Sequence, residues 1–473
     1  MTAEALRAAF DAQREAFAAG APDVARRLEA LALLRDGLRA RQGELLEAVS
    51  DDFGGRAFEE TRMLELFPVY DRIRHARGHL REWARRRRVR SSWFLWPSRA
   101  FIQYQPLGVV GVMGVWNYPI LLTLGPVVEA LAAGNHVIVK PSEIGPRSAE
   151  VLAALIADVF PPAYVHCVTG GPDVGAAFSA LPFDHLFFTG SARVGRLVLR
   201  AAAANLTPVT LEMGGKSPAI VHGSYPLGRA VERLMAGKLY NAGQTCVAPD
   251  YVLLPEGREA EFEAAARRVV AALYPSLVAN PDYTRIVNRR HYDRLRGLLD
   301  DAESSGARVV TINPAGEPFT AEQRVLPPVL VFDPAADLAV MQEEIFGPIL
   351  PVVTYASLDD AIDFVNARPR PLALYYFDED ERRVDHVLAR TLSGGVTIND
   401  CVYHLAQHNL PFGGVGASGM GHHHGFNGFE TFSKKRGVMV QPRWTPTAWL
   451  RPPYDGRHAR LVRGLLRLSL RSR

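Results

Sequence analysis

Two residues stand in settings that favour chemistry. The segment Thr210-Leu-Glu-Met-Gly-Gly-Lys216 carries Glu212, and Asn241-Ala-Gly-Gln-Thr-Cys-Val247 carries Cys246, 34 positions later. A thiolate attacks a carbonyl carbon, and a carboxylate can then take a proton from the water that releases the acyl group. Cysteine is also among the most buried residue types, so Cys246 read alone is more readily a packing residue than a nucleophile. The rest of the chain must bring Glu212, Cys246 and a reactive carbon together.

The totals bound how it does so. A chain of 473 residues suggests two or three domains. Hydrophobic content of 48%, charged content of 22% and the lack of a long uncharged apolar tract argue for a globular protein without a membrane-spanning helix. The start, Met1-Thr-Ala-Glu-Ala-Leu-Arg-Ala-Ala-Phe10, does not have the basic and apolar regions of a secretory signal, and a cytoplasmic location is expected. Cys167, Cys246 and Cys401 are odd in number and far apart, unlike a disulfide framework or a metal-ligand set. A net charge of +4 gives no case for nucleic acid. Arg85-Arg-Arg-Arg-Val-Arg90 reads as a solvated helix end. His422-His-His424 reads as a loop with no Cys or carboxylate beside it, and no metal is expected.

The positioning elements follow from periodicity. Leu28, Leu31, Leu38, Leu45 and Val49 predict an amphipathic helix over residues 22–50, stopped at Asp51-Asp-Phe-Gly54. A second helical region is predicted over 59–88, interrupted near Pro68. From Val109 onward, short apolar runs alternate with helical segments. The strands are Val109-Val-Gly-Val-Met-Gly-Val115, His136-Val-Ile-Val-Lys140, residues 164–169, Asp184-His-Leu-Phe-Phe-Thr189 and Val209-Thr-Leu-Glu212. This alternation predicts a doubly wound parallel sheet with ligands at its carboxyl edge. Asn117, Lys140, Gly190 and Glu212 fall at or just beyond strand ends, and so on one rim. Gly190-Ser-Ala-Arg-Val-Gly195 opens a helix whose amides could meet phosphate, although alone it reads as an ordinary helix entry.

Beyond Cys246 a second α/β region is predicted, with helices over 258–273, 291–304, 358–366 and 381–391 and strands over 309–312, 329–332, 349–353 and 372–377. The glycine-dense segment 410–421 should be an ordered loop lying against something. Residues 444–473 form a basic amphipathic arm through Leu461, Leu465, Leu466, Leu468 and Leu470. Docking on its own protein or a second subunit is expected ahead of weak contact with an anionic membrane surface.

These motifs occur together in a familiar order. Gly114-Val-Trp-Asn-Tyr-Pro119, Ala132-Ala-Gly-Asn135, Val139-Lys-Pro-Ser-Glu143, Phe188-Thr-Gly-Ser191, Leu211-Glu-Met-Gly-Gly-Lys-Ser-Pro218, Gly243-Gln-Thr-Cys246, Glu344-Ile-Phe-Gly-Pro348 and Pro411-Phe-Gly-Gly414 resemble the aldehyde dehydrogenase superfamily over about residues 20–440, and its class 3 branch in particular. Asp52-Phe-Gly54, Ala248-Pro-Asp-Tyr251 and Pro452-Pro-Tyr454 are similar to the bacterial coniferyl aldehyde dehydrogenases within it.

The resemblance implies roles. Cys246 matches the nucleophile, Asn117 the amide that donates to the oxyanion, and Glu212 the base that activates water for thioester hydrolysis. Lys140 and Glu143 match residues on the adenosine ribose, Glu344 the one on the nicotinamide ribose, and Gly190, Ser191 and Gly195 the pyrophosphate turn. Trp116 and Phe412 match positions near the substrate tunnel and nicotinamide, where a role as aromatic core is equally open. A carboxylate at Glu143 would repel a 2′-phosphate, so NAD is implied, with NADP tolerated. Ala192-Arg193 departs from the small polar residue and variable residue common in this turn, and Arg193 either approaches the pyrophosphate or points to solvent. The long apolar tail that anchors some class 3 members is missing, which suggests a soluble protein.

The implied substrate is an aromatic, coniferyl-type, or medium-chain aliphatic aldehyde, and the implied assembly is a homodimer. The implied fold is an NAD-binding domain over residues 1–90 and 106–211 and a catalytic domain over 212–394. A small β bridge with an active-site loop would cover 91–105 and 395–443, followed by the arm 444–473.

Overall fold

The computed structural model describes residues 2–454 and 456–470, so Asp455 and the last three residues of the basic arm lie outside the described residues. Leu31, Leu34, Leu38, Leu45, Val49 and Phe53 are buried, as their spacing requires, but the helix expected over 22–50 forms as two, Val24–Ala40 and Gln42–Phe53. The break is Arg41, at φ −102° and ψ 12°. Leucine spacing continues across it, which hid it in the sequence. Gly54 at φ +69° ends the second helix in the left-handed conformation that glycine adopts without strain. An unforeseen helix, Ala3–Ala19, precedes both and buries only Leu6, Phe10 and Gln13.

The region expected as helix over 59–88 divides into Phe58–Thr61, a π-turn at Arg62–Leu66, and Phe67–Trp83. Pro68 sits in the first turn of the last piece, directly after the π-turn, whose helical backbone runs on into it. The arginine run is a correction: it is not a helix end. Arg87–Val89 is an exposed strand paired antiparallel with Arg99–Pro106.

The doubly wound sheet forms as the βα alternation predicts. Its spatial order is Gly419–Met420, Val209–Glu212, His185–Thr189, Val109–Met113, His136–Lys140 and Val165–Cys167, all parallel except the first. The chain enters at Val109–Met113, moves outward on one side, then returns to its other side with His185–Thr189. That reversal opens a crevice at the carboxyl ends of these two strands. The helix Leu121–Ala133 is buried nearly all round, because it lies between this sheet and the N-terminal helices.

A second sheet has seven strands, in the order Arg308–Thr311, Val329–Phe332, Ile349–Tyr355, Tyr251–Pro255, Pro218–Val221, Ala373–Phe377 and Gly395–Ile398. Only Arg308–Thr311 is antiparallel. The third sheet is an antiparallel triplet, Arg87–Val89, Arg99–Pro106 and Ser433–Val440. It corrects the expected bridge at two places. Arg87–Val89, placed in the NAD-binding span, joins it, and Gly395–Ile398, placed in the bridge, belongs to the second sheet. In the arm, Pro446–Leu450 contacts the turn Trp93–Leu95, and the helix Gly456–Ser469 has no buried residue. Among the described residues no helix is long and apolar enough to cross a membrane.

One buried ion pair ties the helical layer to the crevice. Arg56 Nη1 donates to Glu65 Oε1 at 2.9 Å and to the Asn117 carbonyl at 3.3 Å. Glu65 Oε2 accepts from the backbone N–H groups of Ile120 and Leu121 at 2.7 and 3.2 Å, at the start of the buried helix. Both side chains are wholly buried. Removing one partner of such a pair leaves an uncompensated charge and costs about 3–5 kcal/mol. Glu65→Leu should therefore lower the first thermal unfolding transition by several degrees and reduce activity with it; a midpoint within a degree of wild type would show that the pair does not hold this region.

Candidate active site

Three loops converge in the crevice. The first leaves the strand Val109–Met113 and carries Trp116, Asn117 and Tyr118. The second is the end of Val209–Glu212. The third follows the helix Leu227–Leu239 and carries Cys246. Its backbone is unusual: Asn241, Ala242 and Gly243 have φ of +52°, +51° and +77° in succession. Two non-glycine residues there are strained and persist only if the surroundings hold them. A Cβ on Gly243 would lie 2.3 Å from the Gly347 carbonyl oxygen, so no other residue fits.

Side-chain amides hold the turn. Asn241 Nδ2 donates to the Asn117 carbonyl at 2.9 Å and to the Gln244 carbonyl at 3.2 Å. Gln244 Nε2 donates to the carbonyls of Asn241 and Arg285, at 2.9 and 3.1 Å, and its Oε1 accepts from Val287 N–H at 2.9 Å. The Asn241 N–H is capped by Glu60 at 2.6 Å, and Tyr118 and Thr245 share a hydroxyl bond at 2.6 Å. Asn117 Nδ2 donates to the Gln244 carbonyl at 3.0 Å, which fixes its side chain and leaves its second N–H for another acceptor.

The result is a cavity of about 480 Å³ whose wall includes Trp116, Asn117, Gly190, Ser191, Glu212, Cys246, Glu344 and Phe412. Cys246 is half-buried, and its own N–H and that of Val247 point at the sulfur. Burial, with Glu344 and Glu212 nearby, still pushes its thiol up to about 12. Glu212 is 5% exposed and, among the described residues, neither carboxyl oxygen has a hydrogen-bond partner. Burial above all, then the Glu129 charge, hold it well above the usual carboxylate range, with Arg72 opposing. Burial thus favours its protonated form, and once ionised it is a stronger base than an ordinary carboxylate.

Glu344 is held over Gly214, where a Cβ would meet its Oε1 at 1.8 Å, and it accepts from Gly215 N–H at 3.1 Å. Burial, then Asp250, push it up to about 8. Lys216 fastens its loop, donating to Asp250 at 2.6 Å and to the Val340 and Glu343 carbonyls at 2.8 and 3.0 Å.

The remaining sequence candidates are placed as follows. Lys140 and Glu143 pair at 3.0 Å at the end of the adjacent strand, outside the cavity wall. Ser191 caps the helix Ala192–Ala203 by accepting from Val194 N–H at 3.4 Å, and Arg193 is exposed. Gly195 lies in the first turn of that helix, where a Cβ would meet Met213 Sδ at 2.7 Å. The strand-end positions, the bare backbone at Gly190, the helix N-terminus and the Lys140–Glu143 pair fit a dinucleotide along this rim. Cys167 and Cys401 are off the cavity wall.

His422-His-His424 lies in a loop, as expected, but the expectation that no carboxylate lies beside it needs correction. A carboxylate does lie beside it: His423 Nδ1 is 3.3 Å from Glu129, and His423 and His424 are buried in the cavity wall. Arg72, Tyr118, His291 and Arg294 also line the cavity and were missed. Arg72 and Arg294 lie in amphipathic helices with many arginines, and no local signal separates them. The histidine triplet was visible but its partner is 294 positions away.

A thiol, an unpaired carboxyl and a free amide donor on one cavity, beside a doubly wound sheet, suit an oxidoreductase acting on a carbonyl. The chain belongs to the aldehyde dehydrogenase family, whose model matches residues 1–438. It is 50% identical over 458 residues to a probable coniferyl aldehyde dehydrogenase of Pseudomonas aeruginosa, covering 97% of this chain and 95% of that protein. It is 39% identical over 430 residues to aldehyde dehydrogenase family 3 member A2 of Mus musculus, covering 90% and 87%. An aldehyde dehydrogenase from Mycobacterium tuberculosis, solved with NAD+, superposes with a TM-score of 0.84 at 28% identity, covering 94% and 92%.

Because burial raises the Cys246 thiol, its alkylation by iodoacetamide in the protein without cofactor should accelerate about tenfold per pH unit between pH 7 and 9. A rate that levels off by pH 8 would mean that the thiolate is already formed.

Proposed function

We propose that the protein oxidises aromatic aldehydes of the coniferyl type, and medium-chain aliphatic aldehydes, irreversibly to their acids with NAD. The observation that carries this reading is the Glu212 carboxyl, unpaired and buried on the same wall as Cys246 and Asn117.

Cys246 gives up its proton to solvent as its sulfur bonds to the aldehyde carbon. The carbonyl electron pair moves to oxygen, which accepts from the free N–H of Asn117 and the backbone N–H of Cys246. Preorganised donors of this kind contribute about 3 kcal/mol each to the transition state. NAD, when bound, supplies the acceptor for the hydride whose loss leaves a thioester on Cys246. Glu212 then takes a proton from water as its oxygen attacks the thioester, and the sulfur departs as the acid leaves. Deacylation therefore speeds up with rising pH as Glu212 ionises.

Lys140, Glu143 and Glu344 would hold the two riboses, and Gly190, Ser191 and the helix start at Gly195 the pyrophosphate. The Glu143 carboxylate favours NAD over NADP, which is tolerated if Glu143 turns aside. The cavity wall is mainly apolar and includes Trp116, Tyr118, Phe346 and Phe412, which suits an aromatic ring. The exposed edge strand Ser433–Val440 supports a homodimer joined through the three-stranded sheet, and the cytoplasm is the proposed location.

Cys246→Ala should abolish NADH formation. Glu212→Gln should keep the first burst of NADH and lose at least tenfold in steady turnover; an unchanged steady rate would remove Glu212 as the base. Wild-type protein should make NADH from cinnamaldehyde-type substrates without coenzyme A, and a strict need for that thiol would replace hydrolysis by acyl transfer.

A further inference from the structure

Behind the wall that carries Glu212 lies a buried set of charges to which the steps above assign no role. Arg72, from the helix Phe67–Trp83, reaches the cavity, while Glu129, from the helix Leu121–Ala133, stands behind it and does not. Arg72 Nη1 donates to Glu129 Oε1 at 3.1 Å, the His424 backbone N–H donates to the same oxygen at 3.1 Å, and His423 Nδ1 donates to Glu129 Oε2 at 3.3 Å. Arg72 Nη2 also donates to His424 Nε2. A guanidinium only donates, so His424 accepts at Nε2, carries its proton on Nδ1 and is neutral. Two glycines make the space: a Cβ at Gly428 would lie 2.3 Å from the Glu129 carboxyl carbon, and one at Gly125 2.9 Å from Arg72 Nη1. Arg72 and Glu129 are 6% and 4% exposed.

The charges cancel within the set. Burial and Arg72 hold both histidines below their ordinary range; against its own burial, Glu129 is held below the usual carboxylate range by His423 first, then by Arg72 and the His424 N–H, so the carboxylate and the Arg72 guanidinium it accepts from form one pair. Two carboxyl groups act on Arg72, Glu129 and then Glu212. Facing Glu212 are Glu129, Arg72 and, across the cavity, Cys246. If Glu129 lost its charge, the buried guanidinium would have Glu212 as its remaining counter-ion, and an unpaired buried cation is strongly disfavoured.

We propose that Glu129 is a positioning residue for the deacylating base: by occupying Arg72 it keeps the guanidinium from closing onto Glu212 and leaves that carboxyl free to meet water. The inference rests on Glu212 being the base. A Glu212 paired with Arg72 ionises at lower pH and is a weaker base.

The test is the pH profile of acid release in a rapid-quench single turnover with cinnamaldehyde and NAD. Glu129→Gln, which keeps the shape, should leave the NADH burst within twofold of wild type. Its acid release at pH 8 should fall at least tenfold, with the half-maximal pH moved down by at least one unit. Arg72→Met/Glu129→Gln, which removes both charges, should release acid at least threefold faster than Glu129→Gln alone. A Glu129→Gln profile that superimposes on wild type, or a double variant slower than the single one, overturns the proposal. Should Glu129→Gln show no burst and so no folded site, Arg72→Met decides: its half-maximal pH should rise by at least one unit, and an unshifted profile overturns the proposal. A fast Glu212→Gln variant would sink the base assignment and this inference together, whereas a slow one beside an unshifted Glu129→Gln profile sinks this inference alone.

Discussion

The site depends on a strained turn. Asn241, Ala242 and Gly243 adopt left-handed conformations in a row, and the helix Leu227–Leu239 would otherwise carry Cys246 away from the crevice. Their strain is offset by a closed set of amide bonds in which Asn241, Gln244 and Asn117 satisfy one another's backbone carbonyls. The same carbonyl of Asn117 accepts from Arg56, and Arg56 pairs with Glu65, which caps the buried helix. The turn that carries Cys246, the Asn117 amide and the first helical layer are thus one hydrogen-bonded body. Within it the amide N–H groups that hold the turn are all paired, while Arg56 Nε and Nη2 and Asn241 Oδ1 are left without a hydrogen bond among the described residues.

Against that rigid half stands a deliberately unsatisfied one. Glu212 and Glu344 lie in the same low-dielectric cavity as the thiol and both raise its proton affinity, while burial, with Glu129 for the one and Asp250 for the other, raises theirs. Burial that favours the neutral form of all three groups disfavours gathering several negative charges together. Neutral groups also let an apolar ring enter without displacing tightly held water. The charge needed for chemistry appears only as a reactant arrives or as pH rises.

The periodic parts of the chain were readable from residues alone. The buried strands His136–Lys140 and His185–Thr189 are short apolar runs between helical segments, and they emerge within a residue of their expected limits. The carboxyl-edge placement of Asn117, Lys140, Gly190 and Glu212 followed from those strands. Where the reading failed, the signal was not local. Arg41 interrupts a leucine pattern that does not change. Arg87–Val89 is a strand because it pairs with Arg99–Pro106, although its composition reads as a solvated helix end. His423 and His424 sit in a glycine-rich loop, and only tertiary contact with Glu129 and Arg72 makes them part of the site. Cys246 was distinguished from Cys167 and Cys401 by its motif, since all three thiols are shifted upward by burial.

The glycine-dense loop has a temporal consequence. Gly419–Met420 pairs antiparallel with Leu211 and Glu212, and Met213 N–H donates to the Ser418 carbonyl at 3.1 Å. Until that late segment is made, the strand bearing Glu212 is the open margin of its sheet. On a ribosome synthesising from the N-terminus, more than two hundred residues must follow Glu212 before its border closes, so the cavity wall that carries this carboxyl is among the last features of the molecule to mature.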